Sequence, residues 1–423
     1  MTHPNTDSDY PLSEVPSSAR KGLFSTSIML FSFTFFTATM FAGGKIGLAF
    51  DFTTLIWAAI IGNLLLGAYA AVLGLIACRS GLNSVLMGRF CFGEAGSKLS
   101  DMLLGFTQIG WYAWGTATIA IVLVKILGLP EGLTIPLMVL FGFAFCITAF
   151  VGYKGLDILS RISVPAMLAL LICSLWIATQ DVGGLDALLA IEPSQSMTLS
   201  AAITLVFGTF VSGATQATNW TRFARTGRIA VIASMVGFFL GNGLMIVAGA
   251  YGAIVYQQPD MVEVLVLQGL SMAAVVMLFL NLWTTQDNTI YNFAAAGCNL
   301  LRTGRRKTMT VAGAAIGTVL AIGGMYELLI PFLILLGSII PPIGGVIMAD
   351  YFYGHRSRYP VLAEARLPAF NWVGLGAYFA GALCAYFSPW VAPLVGIAVG
   401  ALVYVVLFEL RKAVVGRNLV VGA

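Results

Sequence analysis

The apolar residues of this chain arrive in blocks of about twenty, the length an α-helix needs to cross a hydrocarbon core of ~30 Å, and the blocks end at charge, Gly or Pro. Inside lipid a backbone must satisfy its own N–H and C=O groups, so blocks of this length are restricted to helices packed in a bundle. Charged residues make up 9% of the chain, far below the ~25% of a soluble domain. A water-soluble globule is therefore excluded.

Twelve spans are expected, near 23–43, 52–77, 99–127, 133–151, 162–179, 198–219, 229–256, 264–296, 309–324, 328–351, 370–387 and 391–410. Their orientation follows from the basic residues of the connections, which stay on the cytoplasmic side. With both termini inside, all of the 22 Lys and Arg residues except Lys45 and Lys125 fall on that side. An error of one span would scramble this pattern. Residues 1–19, polar and rich in Ser, Pro and Asp, read as a disordered cytoplasmic tail. The first apolar block carries no small-residue cleavage site and is a span, not a signal peptide. Glycine, 47 residues in all, lets helix backbones approach closely.

Several function classes drop out at this point. The six cysteines are scattered without a CxxC, and the only histidines are His3 and His355, so no metal site or disulfide framework is suggested. Both histidines lie outside the spans, which leaves an intramembrane enzyme without a catalytic constellation. No basic run exceeds Arg305-Arg306-Lys307, and no soluble domain is present to bind nucleic acid or to signal as a receptor. No obligate protein partner is expected; the partners are the bilayer and a small molecule.

Polar groups in mid-membrane must face protein or a water-filled cavity, and four spans carry them. Span 1 holds Ser32, Thr34, Thr37 and Thr39 within Phe31–Met40, and span 6 runs Gly208-Thr-Phe-Val-Ser-Gly-Ala-Thr-Gln-Ala-Thr-Asn219. Phe35-Phe36-Thr37-Ala38-Thr39 and Phe210-Val211-Ser212-Gly213-Ala214-Thr215 share an aromatic followed by small and hydroxylic residues. An offset of five spans gives the two copies opposite orientation, the arrangement of inverted-repeat carriers whose first helix in each half is broken at the substrate level. A plainer reading has these hydroxyls bonding back to their own helix carbonyls.

In span 3, Gln108 and Trp111 are three residues apart and share a face. An amide beside an indole suits a planar heteroaromatic ring with amide-like edges; a helix-bridging Gln beside a lipid-facing Trp is the alternative. In span 8, Asn281, Thr284, Thr285, Asn288 and Asn292 fall on one stripe. Neutral oxygens of this kind suit a monovalent cation if unwound carbonyls complete the shell, and helix–helix hydrogen bonding is the competing account. Asp287 is the only acid deep inside a span. It lies off the stripe, which leaves a structural partner, a cytoplasmic-side gate and a proton-coupling site as open readings. In span 10, Pro341 and Pro342 remove two amide donors, producing either a gating element or a static kink.

Together these residues resemble the cytosine permeases of the nucleobase:cation symporter-1 family, the purine-cytosine permease group. The resemblance runs from Val15-Pro-Ser-Ser-Ala-Arg-Lys-Gly22 to span 12 and is carried by Thr34-Phe-Phe-Thr-Ala-Thr-Met40 with Gly43-Gly44, Ile61-Gly-Asn-Leu-Leu-Leu-Gly67, Thr107-Gln-Ile-Gly-Trp111 and Phe238-Phe-Leu-Gly-Asn242. Asn281-Leu-Trp-Thr-Thr285 with Asp287-Asn288, and Ile340-Pro-Pro-Ile-Gly-Gly345 with Ala349-Asp-Tyr351, complete it.

The resemblance implies an all-α membrane protein of twelve transmembrane helices, a LeuT-like inverted repeat of five plus five with two helices added. The core then occupies 20–368, with repeats at about 20–180 and 198–368, spans 11 and 12 occupy 369–412, and a second cytoplasmic tail occupies 413–423. It further implies sodium-coupled import of a nucleobase by alternating access in the bacterial inner membrane, with Na⁺ the co-transported ion and no cofactor. The base is expected between Trp111 and Phe210, its polar edge read by Gln108 and Ser212, with Phe36, Thr37 and Thr209 contributing. Sodium is expected where the carbonyls of Ser32 and Phe35 meet Asn281, Thr284 and Thr285. Thr209, Gln216, Asn219 and Gln286 depart from the residues usual in cytosine permeases, which leaves proton-coupled or sodium-coupled carriage of another base, hydroxymethylpyrimidine, uracil or adenine, as the alternative.

Overall fold

The computed structural model describes residues 9–421, and each of the twelve expected spans has a helical counterpart in it. Among the described residues, Phe52–Ser80, Ser97–Leu127, Glu131–Val151, Tyr153–Asp181, Gly227–Tyr256, Leu335–Gly354 and Ala392–Val414 are apolar and long enough to cross a bilayer, and they form spans 2, 3, 4, 5, 7, 10 and 12. Spans 1 and 6 are bent pairs, Leu23–Thr34 with Thr37–Gly47 at 59° and Leu199–Gly208 with Val211–Thr221 at 42°. Spans 8, 9 and 11 are Ser271–Leu300, Arg306–Ile322 and Trp372–Tyr386. This is a multi-pass all-α membrane protein, with the breaks falling at the two segments whose composition matched.

Some boundaries move. Span 5 begins at Tyr153, directly after Gly152, whose φ of 98° turns the chain out of span 4. Span 8 begins at Ser271 because Gly269, at φ 74°, separates it from a short helix, Met261–Leu267. Another short helix, Ser84–Phe92, lies between spans 2 and 3 and is capped by Asn83, whose Oδ1 accepts the Leu86 N–H. The expected interruption at Pro341 and Pro342 is mild: the prolines open the helix Pro341–Ala349, where missing amide donors cost little, and Leu335–Gly354 continues through them as one span.

The two tails differ from the sequence reading. Residues 1–8 lie outside the described residues, but from Asp9 onward the chain is held against the ends of several spans. Arg222, at the end of span 6, donates to the carbonyls of Asp9 and Tyr10 at 2.7 and 2.9 Å. The Asp9 carboxylate accepts the Tyr153 N–H and lies 3.3 Å from Nε of Arg306, the first residue of span 9. Val15 N–H bonds Gly81 O after span 2, and Glu14 accepts the Leu362 N–H after span 10. At the other terminus helix continues to Val421 instead of ending near 412.

These contacts bring the starts of spans 1, 5 and 9 together with the ends of spans 2, 6 and 10. Arg20 adds bonds to Cys78 O and Ala224 O, and Arg302, after span 8, meets Glu94, before span 3. Arg20, Arg222, Arg302 and Arg306 thus share one face of the bundle, whereas Lys125 pairs with Glu263 in the connection before span 8.

Glycine sets the closest helix approach. A Cβ on Gly43 of span 1 would run into Ile246 O of span 7, and one on Gly249 of span 7 would run into Met40 O of span 1. Spans 1 and 7 therefore touch backbone to backbone, which places the second half of span 1 inside the bundle. At the C-terminal end, Pro342 packs on Gly396 and Gly400, seating span 12 against span 10.

Candidate functional site

Two consecutive residues, Phe35 (φ −75°, ψ 90°) and Phe36 (φ −139°, ψ 131°), leave helical geometry and break span 1. The break exposes backbone groups that a continuous helix would pair, and burial forbids water from pairing them. Span 8 supplies the partners. Asn281 Oδ1 accepts the Thr37 N–H at 2.9 Å, capping the second half-helix, and Thr285 Oγ1 donates to Phe35 O at 3.0 Å. Three residues of the expected ion set, Phe35, Asn281 and Thr285, therefore meet at the break. Thr284 Oγ1 turns back to Leu280 O and Asn281 O, while Ser32 uses its hydroxyl toward Met29 O and Ser160 and its carbonyl for the Phe35 N–H. They flank the break.

A small, closely packed cavity adjoins this junction, lined by Phe33 and Phe36 of span 1, Gln108 and Trp111 of span 3, Thr209, Phe210, Ser212 and Gly213 of span 6, and Thr285 and Thr289 of span 8. Six of the seven residues expected to hold a planar ring thus line one space. Thr37 is the exception: it is buried at the N-terminus of the half-helix, with its hydroxyl unpaired among the described residues. Phe36 packs edge-to-face on both Trp111 (5.4 Å, 79°) and Phe210 (6.1 Å, 81°), so the two expected stacking rings stand around a common aromatic.

The lining is apolar with few polar atoms, and those are placed by neighbours. Thr209 shares a bond with Asn242 of span 7, which also binds Asn63 of span 2 and Thr39 of span 1. Gln286 crosses from span 8 to donate to Trp111 O at 3.1 Å, through the space that Gly115 leaves by having no side chain. Gln108 Nε2 and Gln216 Oε1 are buried without a partner among the described residues. Gln108 lines the cavity, and leaving its donor unpaired costs about 1–3 kcal/mol.

The span 8 stripe divides. Asn281 and Thr285 serve the break, Asn288 donates to Thr284 O and to Asp287, and Asn292 faces Gln108 and Asn219 near spans 3 and 6. Asp287 points away from the cavity and accepts from Thr148 of span 4 at 2.8 Å, and Thr148 in turn accepts from Trp283 Nε1. Two further acids are buried near span ends, Asp101 on Asn299 and Asp350 on Tyr359 and Tyr404. Among the described residues no His, Cys, Asp and Glu group is arranged for a metal.

Sequence reasoning missed Phe33, Thr289 and Phe332. Phe33 packs edge-to-face on Phe210 at 5.1 Å, and Phe332, in the helix Leu329–Ile339 that leads into span 10, lies 5.6 Å from Trp111, over Gly110. Phe33 sat in view within the polar stretch of span 1. Phe332 carried no signal, because one aromatic among the leucines of span 10 marks neither a face nor a partner.

A family model described as permease for cytosine/purines, uracil, thiamine, allantoin matches residues 14–407. The chain belongs to this permease family. It is 40% identical over 402 residues to the cytosine permease of Escherichia coli (strain K12), covering 95% of this chain and 94% of that protein. A hydantoin permease of Microbacterium maritypicum is 23% identical, covering 91% and 85%. Among solved structures, Mhp1, a nucleobase-cation-symport-1 family transporter in a closed conformation with bromovinylhydantoin bound, superposes with a TM-score of 0.84 at 19% identity over 94% of each chain. A Na⁺-coupled sialic acid symporter superposes at 0.70 and 10% identity, covering 95% of this chain and 92% of that one. The permease therefore has the five-plus-five inverted-repeat transporter fold and is a carrier, not an enzyme.

Proposed function

We propose that this permease imports a nucleobase, cytosine before others, together with Na⁺ by alternating access, and that it resides in the bacterial inner membrane with both termini in the cytoplasm. The observation that carries the reading is the meeting of Gln108, Trp111, Phe210 and Ser212 in one buried cavity that abuts the span 1 break. Trp111 and Phe210 supply flat apolar faces for an uncharged ring, and Gln108 with Ser212 reads its polar edge. The 40% identity to a cytosine permease supports the choice of base.

Sodium is the fitting co-substrate because the break offers neutral oxygens: Phe35 O, Asn281 Oδ1 and the Thr285 hydroxyl. An ion there ties span 1 to span 8. Linkage then requires that an ion favouring the base-binding arrangement raise base affinity, and that the base raise ion affinity by the same factor. Asp287 keeps proton coupling as the rival account, since it is a buried acid in the same span.

The test is uptake of labelled cytosine into proteoliposomes under an inward Na⁺ gradient, an inward proton gradient, or neither. Uptake driven by Na⁺ and competed by unlabelled cytosine supports the proposal. Accumulation driven by protons alone would assign the coupling to protons, with Asp287 the first of the buried acids to substitute, and stronger competition by uracil, adenine or hydroxymethylpyrimidine would reassign the base.

A further inference from the structure

Gln108 reaches the cavity from span 3, and its amide presents either N–H donors or a carbonyl oxygen there. The choice selects opposite base edges, and a chain of buried amides makes it. The chain begins at Asn83, cap of the helix Ser84–Phe92, whose Oδ1 accepts the Leu86 N–H at 3.1 Å. A backbone N–H only donates, so the oxygen of Asn83 is assigned and its Nδ2 is left to donate to Asn219 Oδ1 at 2.6 Å. Asn219 Nδ2 then donates to Asn292 Oδ1 at 2.7 Å, and Asn292 Nδ2 faces Gln108 Oε1 at 3.5 Å. Turning over any single amide sets N–H against N–H or oxygen against oxygen. All four side chains are at most 2% exposed, so the amides pair with one another and not with bulk water.

The polarity that a helix cap sets at the basic face is thus passed through spans 6 and 8 to span 3. It leaves Gln108 Nε2 buried and unpaired among the described residues, on a side chain that lines the cavity.

We infer that Asn83, Asn219 and Asn292 are positioning residues for selectivity: they hold Gln108 as a donor and restrict the cargo to bases that offer it adjacent acceptors. An unprotonated ring nitrogen beside a carbonyl, as on cytosine, offers that amide two acceptors side by side and no opposing hydrogen. The ring N–H beside a carbonyl of uracil meets it with a donor. This inference rests on the site reading proposed above.

The test measures, in proteoliposomes, the ratio of the unlabelled uracil and cytosine concentrations that halve labelled-cytosine uptake. Asn83→Asp keeps the cap but replaces the donor toward Asn219 by an acceptor, so each amide turns over in sequence and Gln108 presents its oxygen to the cavity. The ratio is expected to fall roughly tenfold or more, the equivalent of one mispaired buried donor. Asn292→Leu frees Gln108 to turn either way and is expected to lower the ratio without reversing it. A purely structural role for these residues would reduce uptake without changing the ratio. An unchanged ratio in Asn292→Leu, with cytosine uptake retained, overturns the inference, and this variant carries the test if Asn83→Asp does not fold. Gln108→Leu separates the two levels: if it changes neither uptake nor ratio, the site reading itself fails, and if it changes them while the Asn variants do not, only the relay fails.

Discussion

Thr285→Val is the most direct probe of how the break in span 1 is held. The Thr285 hydroxyl donates to Phe35 O at 3.0 Å and also reaches Asn281 O at 3.0 Å. Phe35 O has lost its helical partner, because the Thr39 N–H that would serve it bonds Phe36 O instead. Valine keeps the shape of the side chain and removes the donor, leaving a buried carbonyl unpaired, at a cost of about 1–3 kcal/mol. If the hydroxyl oxygen is also an ion ligand, valine removes that ligand as well, and a net loss of this size in the ion-bound arrangement corresponds to roughly a 5- to 150-fold rise in the half-saturating Na⁺ concentration. The assay is the initial rate of labelled-cytosine uptake into proteoliposomes as external Na⁺ is varied. Thr285→Ser, which restores the hydroxyl, should return the curve close to that of the unmodified protein. An unchanged Na⁺ curve in the valine variant, with folded protein in the membrane, would refute the reasoning even if thermal stability fell, since the hydroxyl would then be only a tie between helices.

Trp111→Ala removes one stacking face, for which about 1–3 kcal/mol per base is ordinary; cytosine affinity measured by ligand-induced thermal shift should drop by one to two orders of magnitude, and undiminished affinity would dismiss the ring sandwich. Gly115→Val fills the space through which Gln286 reaches Trp111 O, and overpacking of this kind costs about 1–3 kcal/mol or more, so its melting temperature in detergent should fall while Gly132→Ala, at an exposed position with nothing near its Cβ and no left-handed backbone, bounds the cost of a bare glycine replacement. His355 sits just outside the membrane after span 10, with Nδ1 3.3 Å from Asp350 Oδ2. Burial pulls its pKa down, but the hydrogen bond and charge of Asp350 prevail and leave it above its ordinary 6.5. A raised folded-state pKa means stability that is full below pH 6.5 and lost as pH rises through the folded value. His355→Gln should therefore flatten the melting-temperature profile above pH 6.5, and parallel profiles for the two proteins would count against the pairing.

Much of the site was legible in sequence because membrane chains carry few polar residues in mid-span, and each needs a reason. Gln108, Trp111, Asn281 and Thr285 stood out on that ground alone, and the matching segments around Phe36 and Phe210 marked both helix breaks. The stripe on span 8 was read correctly as a face and too broadly as a single site. Helical periodicity shows that Asn281 and Asn292 point the same way, but they are three turns apart along the axis, and different neighbours claim them: the span 1 break for one, Gln108 and Asn219 for the other. The N-terminal segment misled the reading because composition reports what a chain does alone, whereas Asp9 and Tyr10 are ordered by Arg222 and Arg306 from spans 6 and 9.

By itself, the sequence determined the all-helical, multi-pass class, the gathering of most basic residues in alternate connections, and the two places where helices break. These depend on transfer into lipid and on charge at the membrane surface, which each segment carries independently of the others. Only the tertiary structure decided which break receives Asn281, how Gly43 and Gly249 bring spans 1 and 7 together, and which way the Gln108 amide faces. Those outcomes depend on pairing between groups far apart in the chain: a buried amide takes its orientation from its partner, and the partner is chosen by packing.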